Sequence, residues 1–385
     1  MLQSIAAVMF WLSAGLVLYV YLGYPLLVFA LGRAFSRGVR KSPHTPSVSV
    51  LISAYNEAAH IHATIRNKLD LRYPNDRLEI IAISDGSTDG TDQIIQDFRS
   101  PQVRYVRQER RQGKTAALNR ATLEARGEIL VFSDANSHYD PDALAHLVAN
   151  FADPSVGYAT GQLRYGRPVP SAINEGCSLY MRYENALRIA ETRLGSIIGV
   201  NGGIDAVRRD LYRPMRADEL PDFALPLRVV EQGKRVVFDS HALSSEDALH
   251  VAHDEYRMRC RVARRAIATL HDYRHLLNPF RFGIYAVQLF SHKVLRYNIW
   301  VCLCLMFLSS VLLAPGSAFY ANLLAVQLMF YVLAVLGYIV PPSASSRRLL
   351  TIPLYFCLTN LASANASWAF LTGRPSASTW EPRKS

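Results

Sequence analysis

The sequence is poor in cysteine, and its few cysteines are not spaced for a metal site. None of the five forms a Cys-x-x-Cys pair, and two lie inside a long charge-free run near the C-terminus. Zinc fingers and disulfide-rich domains need paired or regularly spaced cysteines. We therefore expect reduced, structural thiols. These are Cys177, Cys260, Cys302, Cys304 and Cys357.

Charge is missing from three long stretches of the chain. No charged residue occurs in 1–32, in 297–346 or in 349–373. About 20 apolar residues suffice to cross a bilayer, so the first stretch predicts one span, the second two spans hinged at Pro315, and the third a fourth. Buried helices of a large soluble core fit runs of this length poorly. No small-residue cleavage site follows the first span, which favours an anchor over a removable signal.

Lys and Arg cluster beside the predicted spans. They crowd 33–46 and 281–296, and Arg347 and Arg348 separate the last two spans. Cytoplasmic loops carry such an excess, so we expect a multi-pass protein of a bacterial inner membrane with its central region in the cytoplasm. The basic tail falls on the opposite side in this scheme, so its side stays open. The net charge of +11 suits an anionic lipid surface, and neither zinc-finger spacing nor an RNA-binding signature points to nucleic acid.

The central region alternates short apolar strands with amphipathic helices, which predicts an α/β domain with a largely parallel sheet. The predicted strands are Ser47–Ser53, Leu78–Ser84, Val103–Arg107 and Ile129–Ser133, and the helices between them are Glu57–Leu69, Asp89–Phe98 and Lys114–Ala125. The predicted organisation is a transmembrane helix at 1–32, a basic linker at 33–46, a catalytic domain at 47–280, an interfacial amphipathic helix at 281–296, about three transmembrane helices at 297–373 and a tail at 374–385.

Polar residues follow the predicted strands, where ligands of such sheets bind. Loops run from Ala54 to Glu57 and from Ser84 to Thr91, and both can also be explained as helix caps. Neither contains Gly-x-Gly-x-x-Gly or a phosphate-loop lysine, which argues against a dinucleotide or ATPase site. Asp134-Ala-Asn136 follows a strand as a turn or a cation site. Lys114 opens a helix, where the dipole disfavours a cation unless an anion sits beside it.

These motifs, in this order, resemble the family 2 inverting glycosyltransferases of GT-A fold, especially the membrane-integral, polysaccharide-synthesising type. The resemblance covers about 47–265. It implies a nucleotide-diphospho-sugar transferase domain, with a Rossmann-like mixed sheet, flanked by transmembrane helices. The donor-side residues that it implies are Ala54, Tyr55, Glu57 and Asp85 for the nucleotide, Lys114 for the diphosphate, and Asp134 with Asn136 for a divalent cation, Mg²⁺ or Mn²⁺.

On the acceptor side, the resemblance implies that Asp222 is the catalytic base, with Asp218 and Glu219 as competing acids. The glycine-rich segment around Asn201 and Gly202 matches the loop that the acceptor approaches. Arg261 matches the arginine that, in the family, contacts the diphosphate or the growing polymer.

The implied function is transfer of a sugar from a nucleotide sugar, a UDP-sugar by resemblance, to a saccharide or lipid-linked acceptor in surface polysaccharide synthesis. Membrane lipids and other polysaccharide assembly or export proteins are the expected partners. A processive synthase is the nearest alternative, although Met258 and Val262 replace the family's glutamine and tryptophan. A non-catalytic membrane scaffold also stays open, whereas a nucleotide-gated transporter would need charges inside the second and third spans, which have none.

Overall fold

The computed structural model describes residues 1–166, 172–246, 252–339 and 347–373. The chain divides into two compact units. Of the described residues, 1–30, 172–187, 252–339 and 347–373 form the helical unit, and 31–166 and 188–246 form the sheet unit. The predicted tail at 374–385 lies outside the described residues.

The α-helices are, in chain order, α1 Leu2–Leu18, α2 Tyr24–Ala34, α3 Ile61–Leu69, α4 Thr91–Gln96, α5 Lys114–Glu124, α6 Ala143–Ala149, α7 Ala172–Leu194, α8 Pro221–Glu231, α9 Ala252–Asp272, α10 Pro279–Phe282, α11 Ile284–Leu289, α12 Arg296–Leu313, α13 Ala318–Ile339 and α14 Arg347–Leu371. The strands are β1 Val48–Ala54, β2 Leu78–Asp85, β3 Val103–Gln108, β4 Ile129–Asp134, β5 His138–Tyr139, β6 Val156–Tyr165, β7 Asp205–Arg208 and β8 Arg235–Glu246.

The sheet unit is built on one mixed sheet with the strand order β3-β2-β1-β4-β7-β6-β8-β5. The first four strands along the chain pair in parallel, and β7 pairs antiparallel to β4 and β6. The central strands are almost wholly buried, as expected of parallel strands covered on both faces. The predicted mixed α/β sheet is therefore confirmed.

Strand register brings the polar strand ends to one edge of the sheet. Ser53 of β1 pairs with Asp134 of β4. Ala54 pairs with Ser84, just before Asp85 ends β2. Because β7 runs antiparallel to β4, its first residue, Asp205, lies at this same edge, opposite Phe132. We call this the carboxyl edge.

Among the residues that the structure describes, four helices are long and apolar enough to cross a membrane, the number predicted. They are Leu2–Ala34, Ile284–Gly316, Ala318–Ile339 and Leu349–Leu371. The second begins earlier than its predicted start at Tyr297, because α11 continues through a π-helical turn into α12. Most of the segment predicted as a separate interfacial helix, 281–296, is therefore continuous with this span.

Candidate active site

Three charged side chains from distant parts of the sequence meet at the carboxyl edge. Lys114 is the first residue of α5, Asp134 ends β4, and Asp222 is the second residue of α8, after Pro221. The Lys114 Nζ atom donates to Asp134 Oδ1 at 2.5 Å and lies 3.8 Å from Asp222 Oδ1. Each side chain is about one-third exposed, so a ligand can reach all three. We call them the Lys-Asp-Asp cluster.

The two aspartates keep the lysine charged. Burial alone would lower the pKa of the Lys114 amine, but Asp134 and Asp222 raise it well above its usual value. The ammonium group is therefore cationic throughout the physiological pH range. Lys114 thus stands between an acid at a strand end and an acid at a helix N-terminus.

A fourth ionisable residue, Asp205, was missed by sequence reasoning. It is 1% exposed, and neither carboxylate oxygen has a hydrogen-bond partner with good geometry among the described residues. Burial, reinforced by the charge of Asp222, raises the pKa of Asp205 well above its usual range, although Thr160 and Lys114 oppose the shift. The sequence feature that could have identified Asp205 is an acid flanked by apolar residues, in Gly-Ile-Asp-Ala-Val. Such an acid is costly unless the site uses it.

The predicted acceptor-side loop packs directly against Asp222. A Cβ added to Gly202 would lie 2.5 Å from Asp222 Oδ2, so only glycine leaves the carboxylate in place. The neighbouring Asn201 is buried and accepts from Arg188 Nη1 at 2.6 Å, while its own amide donates to the Gly161 carbonyl at 3.1 Å. Asn201 therefore holds the loop, and Gly202 makes room for the proposed base.

Of the three candidate bases, Asp222 is the one that pairs with Lys114. Glu219 is 2% exposed and is bound by both oxygens to Arg228 Nη2, at 3.0 and 2.8 Å. Asp218 is exposed and pairs with Arg216 at 3.1 Å. Glu219 is thus engaged in a buried ion pair and Asp218 in a surface pair.

Asp85 is tied to the chain just before Lys114. Its two oxygens accept the backbone N–H groups of Gln112 and Gly113, both at 2.7 Å. Burial raises its pKa even though these N–H groups oppose the shift. Asp85 therefore positions the start of α5. A carboxylate oxygen can accept more than one hydrogen bond, so these two bonds leave Asp85 able to accept from a ligand as well. Its contact with the nucleotide stays a prediction.

The two predicted nucleotide loops are bonded to each other. The Thr91 hydroxyl accepts from the Glu57 N–H at 2.9 Å, and Asp89 accepts from the Ala58 N–H at 3.0 Å. Asn56 adopts a positive φ of 53° and accepts from the Thr88 N–H at 2.8 Å. The residue directly before α3 or α4 makes no side-chain cap, but Asp89 also accepts from the Thr91 N–H at the start of α4 at 3.1 Å. These polar residues therefore join the two loops, and Asp89 in addition supports the first turn of α4.

Beside these loops, Tyr55 presents an aromatic ring. The Arg111 guanidinium stacks 4.0 Å from the ring centroid, while the preceding residue, Ala54, is buried at the end of β1. An arginine stacked on an aromatic ring is a flat surface suited to a base or a phosphate.

The residues around Asp134 fit a divalent cation that takes most of its ligands from the phosphates of a bound substrate and from water. Asn136 lies in the turn after Asp134, which closes with a hydrogen bond from the Ser137 N–H to the Asp134 carbonyl at 3.2 Å. No group of three or more His, Cys, Asp or Glu residues able to hold a metal is found in the described ranges. Mg²⁺ and Mn²⁺ are commonly held by one or two protein oxygens plus phosphates and water, which suits this donor set.

One predicted site residue is not in this unit. Arg261 lies on α9, which belongs to the helical unit. Its predicted contact with the diphosphate or acceptor stays a prediction.

Residues 49–213 match the model of Glycosyl transferase family 2. The chain carries a family 2 glycosyltransferase domain. The matched part of this domain includes Lys114, Asp134 and Asp205, and it ends before Asp222.

Curated relatives bear glycosyltransferase and synthase names. The chain is 27% identical over 283 residues to the probable glycosyltransferase YdaM of Bacillus subtilis (66% of this chain, 65% of that protein). It is 34% identical over 152 residues to the poly-beta-1,6-N-acetyl-D-glucosamine synthase of Staphylococcus epidermidis (38% and 36%), and 29% identical over 187 residues to the beta-monoglucosyldiacylglycerol synthase of Nostoc sp. (48% and 40%). The chain thus spans less than two thirds of the length of these relatives.

The fold is also similar to a solved structure, the mannosyltransferase PcManGT from Pyrobaculum calidifontis in complex with GDP-Man and Mn²⁺. The TM-score is 0.69 at 22% identity, covering 95% of this chain and 100% of that one. At this level of identity the similarity concerns the fold, and it confirms the predicted GT-A type.

Proposed function

We propose that this protein is a membrane-bound, inverting glycosyltransferase that moves a sugar from a nucleotide-sugar donor to a saccharide or lipid-linked acceptor. The observation that carries the proposal is the Lys-Asp-Asp cluster, in which Lys114 bridges two partly exposed acids within a family 2 fold. The four apolar helices support a membrane location.

Asp222 acts as the base. In an inverting transfer, the acceptor oxygen bonds to the anomeric carbon while the bond from that carbon to the diphosphate oxygen breaks on the opposite face. Asp222 takes the acceptor's proton. The absent side chain of Gly202 leaves its carboxylate unobstructed, and the first turn of α8 places it at the positive end of the helix dipole.

Lys114 and Asp134 serve the leaving group. The Lys114 ammonium offers positive charge to the departing diphosphate, and Asp134, with Asn136 as a second oxygen ligand, would hold a divalent cation. When bound, Mg²⁺ or Mn²⁺ neutralises negative charge that develops on the leaving diphosphate.

The nucleotide lies along the two joined loops in this proposal. Tyr55 and the stacked Arg111 offer a flat surface for the base or a phosphate, and Asp85 can accept hydrogen bonds from a base edge. We expect a UDP-sugar, by family resemblance. The GDP-Man in the similar structure from Pyrobaculum calidifontis makes GDP-sugars the natural comparison.

The test is nucleotide release by purified protein with Mn²⁺ and a panel of UDP- and GDP-sugars. Asp222→Asn should lower transfer by about 10²- to 10⁴-fold, the usual contribution of a general base, with little change in donor binding. Asp218→Asn is the matched control, because Asp218 is an exposed acid of the same segment that pairs with Arg216 at 3.1 Å, and it should keep wild-type activity.

Equal, metal-independent rates in wild type and Asp222→Asn would contradict the mechanism and support a non-catalytic scaffold. Mass analysis of the products addresses the processive alternative. A single added sugar agrees with the proposal, whereas a ladder of added sugars would show a synthase.

A further inference from the structure

The helical unit contains a partly open cavity that the proposed transfer chemistry does not use. Its volume is about 270 Å³, close to the lower limit of roughly 300–1,000 Å³ typical of small-molecule pockets. Five tyrosines line it, together with polar side chains of α14. The tyrosines are Tyr21, Tyr180, Tyr183, Tyr297 and Tyr355, and the α14 residues are Thr359, Asn360 and Ser363.

Every charged residue among the described lining is basic. Arg259, Lys293 and Arg296 face the cavity, with His292 beside them. Their carboxylate partners do not line it. The Arg259 Nε atom pairs with Glu255 at 2.9 Å. Arg296 pairs with Glu184, and both glutamates are only 3% exposed at the side chain. The charged side chains of the described lining are thus all basic, and the paired glutamates are not part of the lining.

Tyrosine rings hold the two guanidinium groups in place. Arg296 lies 5.7 Å from the Tyr183 ring and 5.1 Å from Tyr180, and Arg259 lies 5.2 Å from Tyr180 and 5.6 Å from Tyr355. Arg259 also donates to the Tyr355 hydroxyl at 2.6 Å. We call this alternating series the arginine–tyrosine ladder. It fixes two planar hydrogen-bonding groups before any ligand arrives, which lowers the entropy cost of binding.

The position of Tyr355 is set by close packing. A Cβ added to Gly176 of α7 would lie 2.8 Å from Tyr355 Cβ and 2.9 Å from its Cγ, so the absent side chain lets the tyrosine approach. The Tyr355 hydroxyl additionally donates to Glu255 at 3.1 Å. The ladder is therefore a built feature of the unit.

The ladder belongs to helices that are long and apolar enough to cross a membrane. Tyr21, Arg296 and Tyr355 lie on three different candidate spans. Ionisable groups at such positions are costly and usually mark a binding site or pathway. A basic cavity walled by apolar helices suits a ligand with an anionic head and an apolar tail. Among anionic heads, phosphate matches the paired N–H groups of arginine.

We propose that this cavity binds the phosphate-bearing headgroup of a membrane lipid, with the lipid tail along the apolar helices. This binding does not depend on the proposed sugar transfer, so each claim can fail without the other.

Native mass spectrometry of the full chain in neutral detergent tests the proposal. The probes are a polyprenyl phosphate, phosphatidylglycerol and, as the uncharged control, the corresponding polyprenol. We expect both phosphate lipids to bind at least about tenfold more tightly than the alcohol, because hydrogen bonds to a charged group contribute about 1.5–3 kcal/mol. Equal binding of phosphate lipid and alcohol, or complete displacement by excess inorganic phosphate alone, would overturn it.

The variant of choice is the double substitution Glu184→Gln with Arg296→Gln, which removes both members of a buried ion pair. Glu184 also lies 3.3 Å from His292 Nε2, so the stability cost of losing this second contact is measured as well. We expect phosphate-lipid binding to weaken by about 10- to 100-fold, with thermal unfolding measured in parallel. If the double variant fails to fold, Lys293→Gln replaces it, since this lysine is a partly exposed lining residue. Arg281→Gln is the control, because Arg281 is an exposed basic residue outside the lining. Equal lipid binding by the lining and control variants would contradict the proposal.

Discussion

The sheet unit and the helical unit each contain one cluster of ionisable side chains. The cluster in the sheet unit is mainly acidic, and the cluster that lines the cavity of the helical unit is basic. At the carboxyl edge, Asp134, Asp205 and Asp222 surround Lys114. In the cavity of the helical unit, the charged residues of the described lining are basic. The glutamates that pair with Arg259 and Arg296 are not part of the lining.

This difference in charge determines how the carboxyl edge and the cavity can each bind a phosphate group. Two partly exposed acids repel a diphosphate, so the carboxyl edge needs a cation in addition to Lys114 before such a ligand is favoured. The arginine–tyrosine ladder can meet a phosphate directly. We therefore expect metal dependence at the first place and metal-independent binding at the second.

After removal of the proposed base itself, the largest expected effect comes from moving that acid without changing any charge. In Gly202→Ala the new Cβ would meet Asp222 Oδ2 at 2.5 Å, so the carboxylate must shift. A misplacement of about 1 Å can lower turnover by about 10²-fold, and we expect that loss in kcat with donor KM little changed. Steady-state kinetics on the best donor measures both constants.

Gly38→Ala is the control for this substitution, because nothing lies within 4 Å of a Cβ added there. Gly202→Ala with unchanged kcat would show that the loop does not constrain Asp222. Lipid binding in the helical unit should be the same in both variants.

A smaller effect is expected from Asp205→Asn, which removes a buried carboxyl group. The pKa of the Asp205 carboxyl is raised in the folded protein. The free energy of unfolding is therefore lowered at any pH at which this carboxyl is ionised in the unfolded chain. The penalty is absent below about pH 4, grows as pH rises towards the folded pKa, and is constant above it. Asp205→Asn should therefore be more stable than wild type near neutral pH and almost unchanged near pH 4, because asparagine cannot ionise.

Unfolding followed at both pH values checks this prediction, with Asp140→Asn as the control, because Asp140 is an exposed acid in a loop of the same unit. A variant that is less stable than wild type near neutral pH would show that Asp205 has a compensating partner.

Sequence reasoning predicted the elements that carry the site. The apolar strand runs and the order of motifs were sufficient to predict four parallel strands and the ends at which Asp134 and Asp85 lie. The helix expected from Glu57 begins instead at Ile61, because the intervening residues bond to the loop around Thr91. Local propensity does not contain such a contact between loops.

What the sequence could not predict depends on contacts between distant residues. Gly202 and Asp222 are far apart along the chain, and only the fold shows that a Cβ at one would strike the other. Asp205 lies at the carboxyl edge because β7 is antiparallel to β4, a pairing that its short apolar run does not specify. The basic cavity likewise assembles residues from five helical segments.

The central claim is that Asp134, with Asn136, holds a divalent cation together with a nucleoside diphosphate. Mn²⁺ binding followed by electron paramagnetic resonance, with and without UDP or GDP, tests it most directly in wild type and Asp134→Asn. The account predicts that a nucleoside diphosphate strengthens Mn²⁺ binding to wild type beyond its own affinity for the ion, and that Asp134→Asn loses this gain. Equal Mn²⁺ binding by both proteins in the presence of the nucleotide would contradict it.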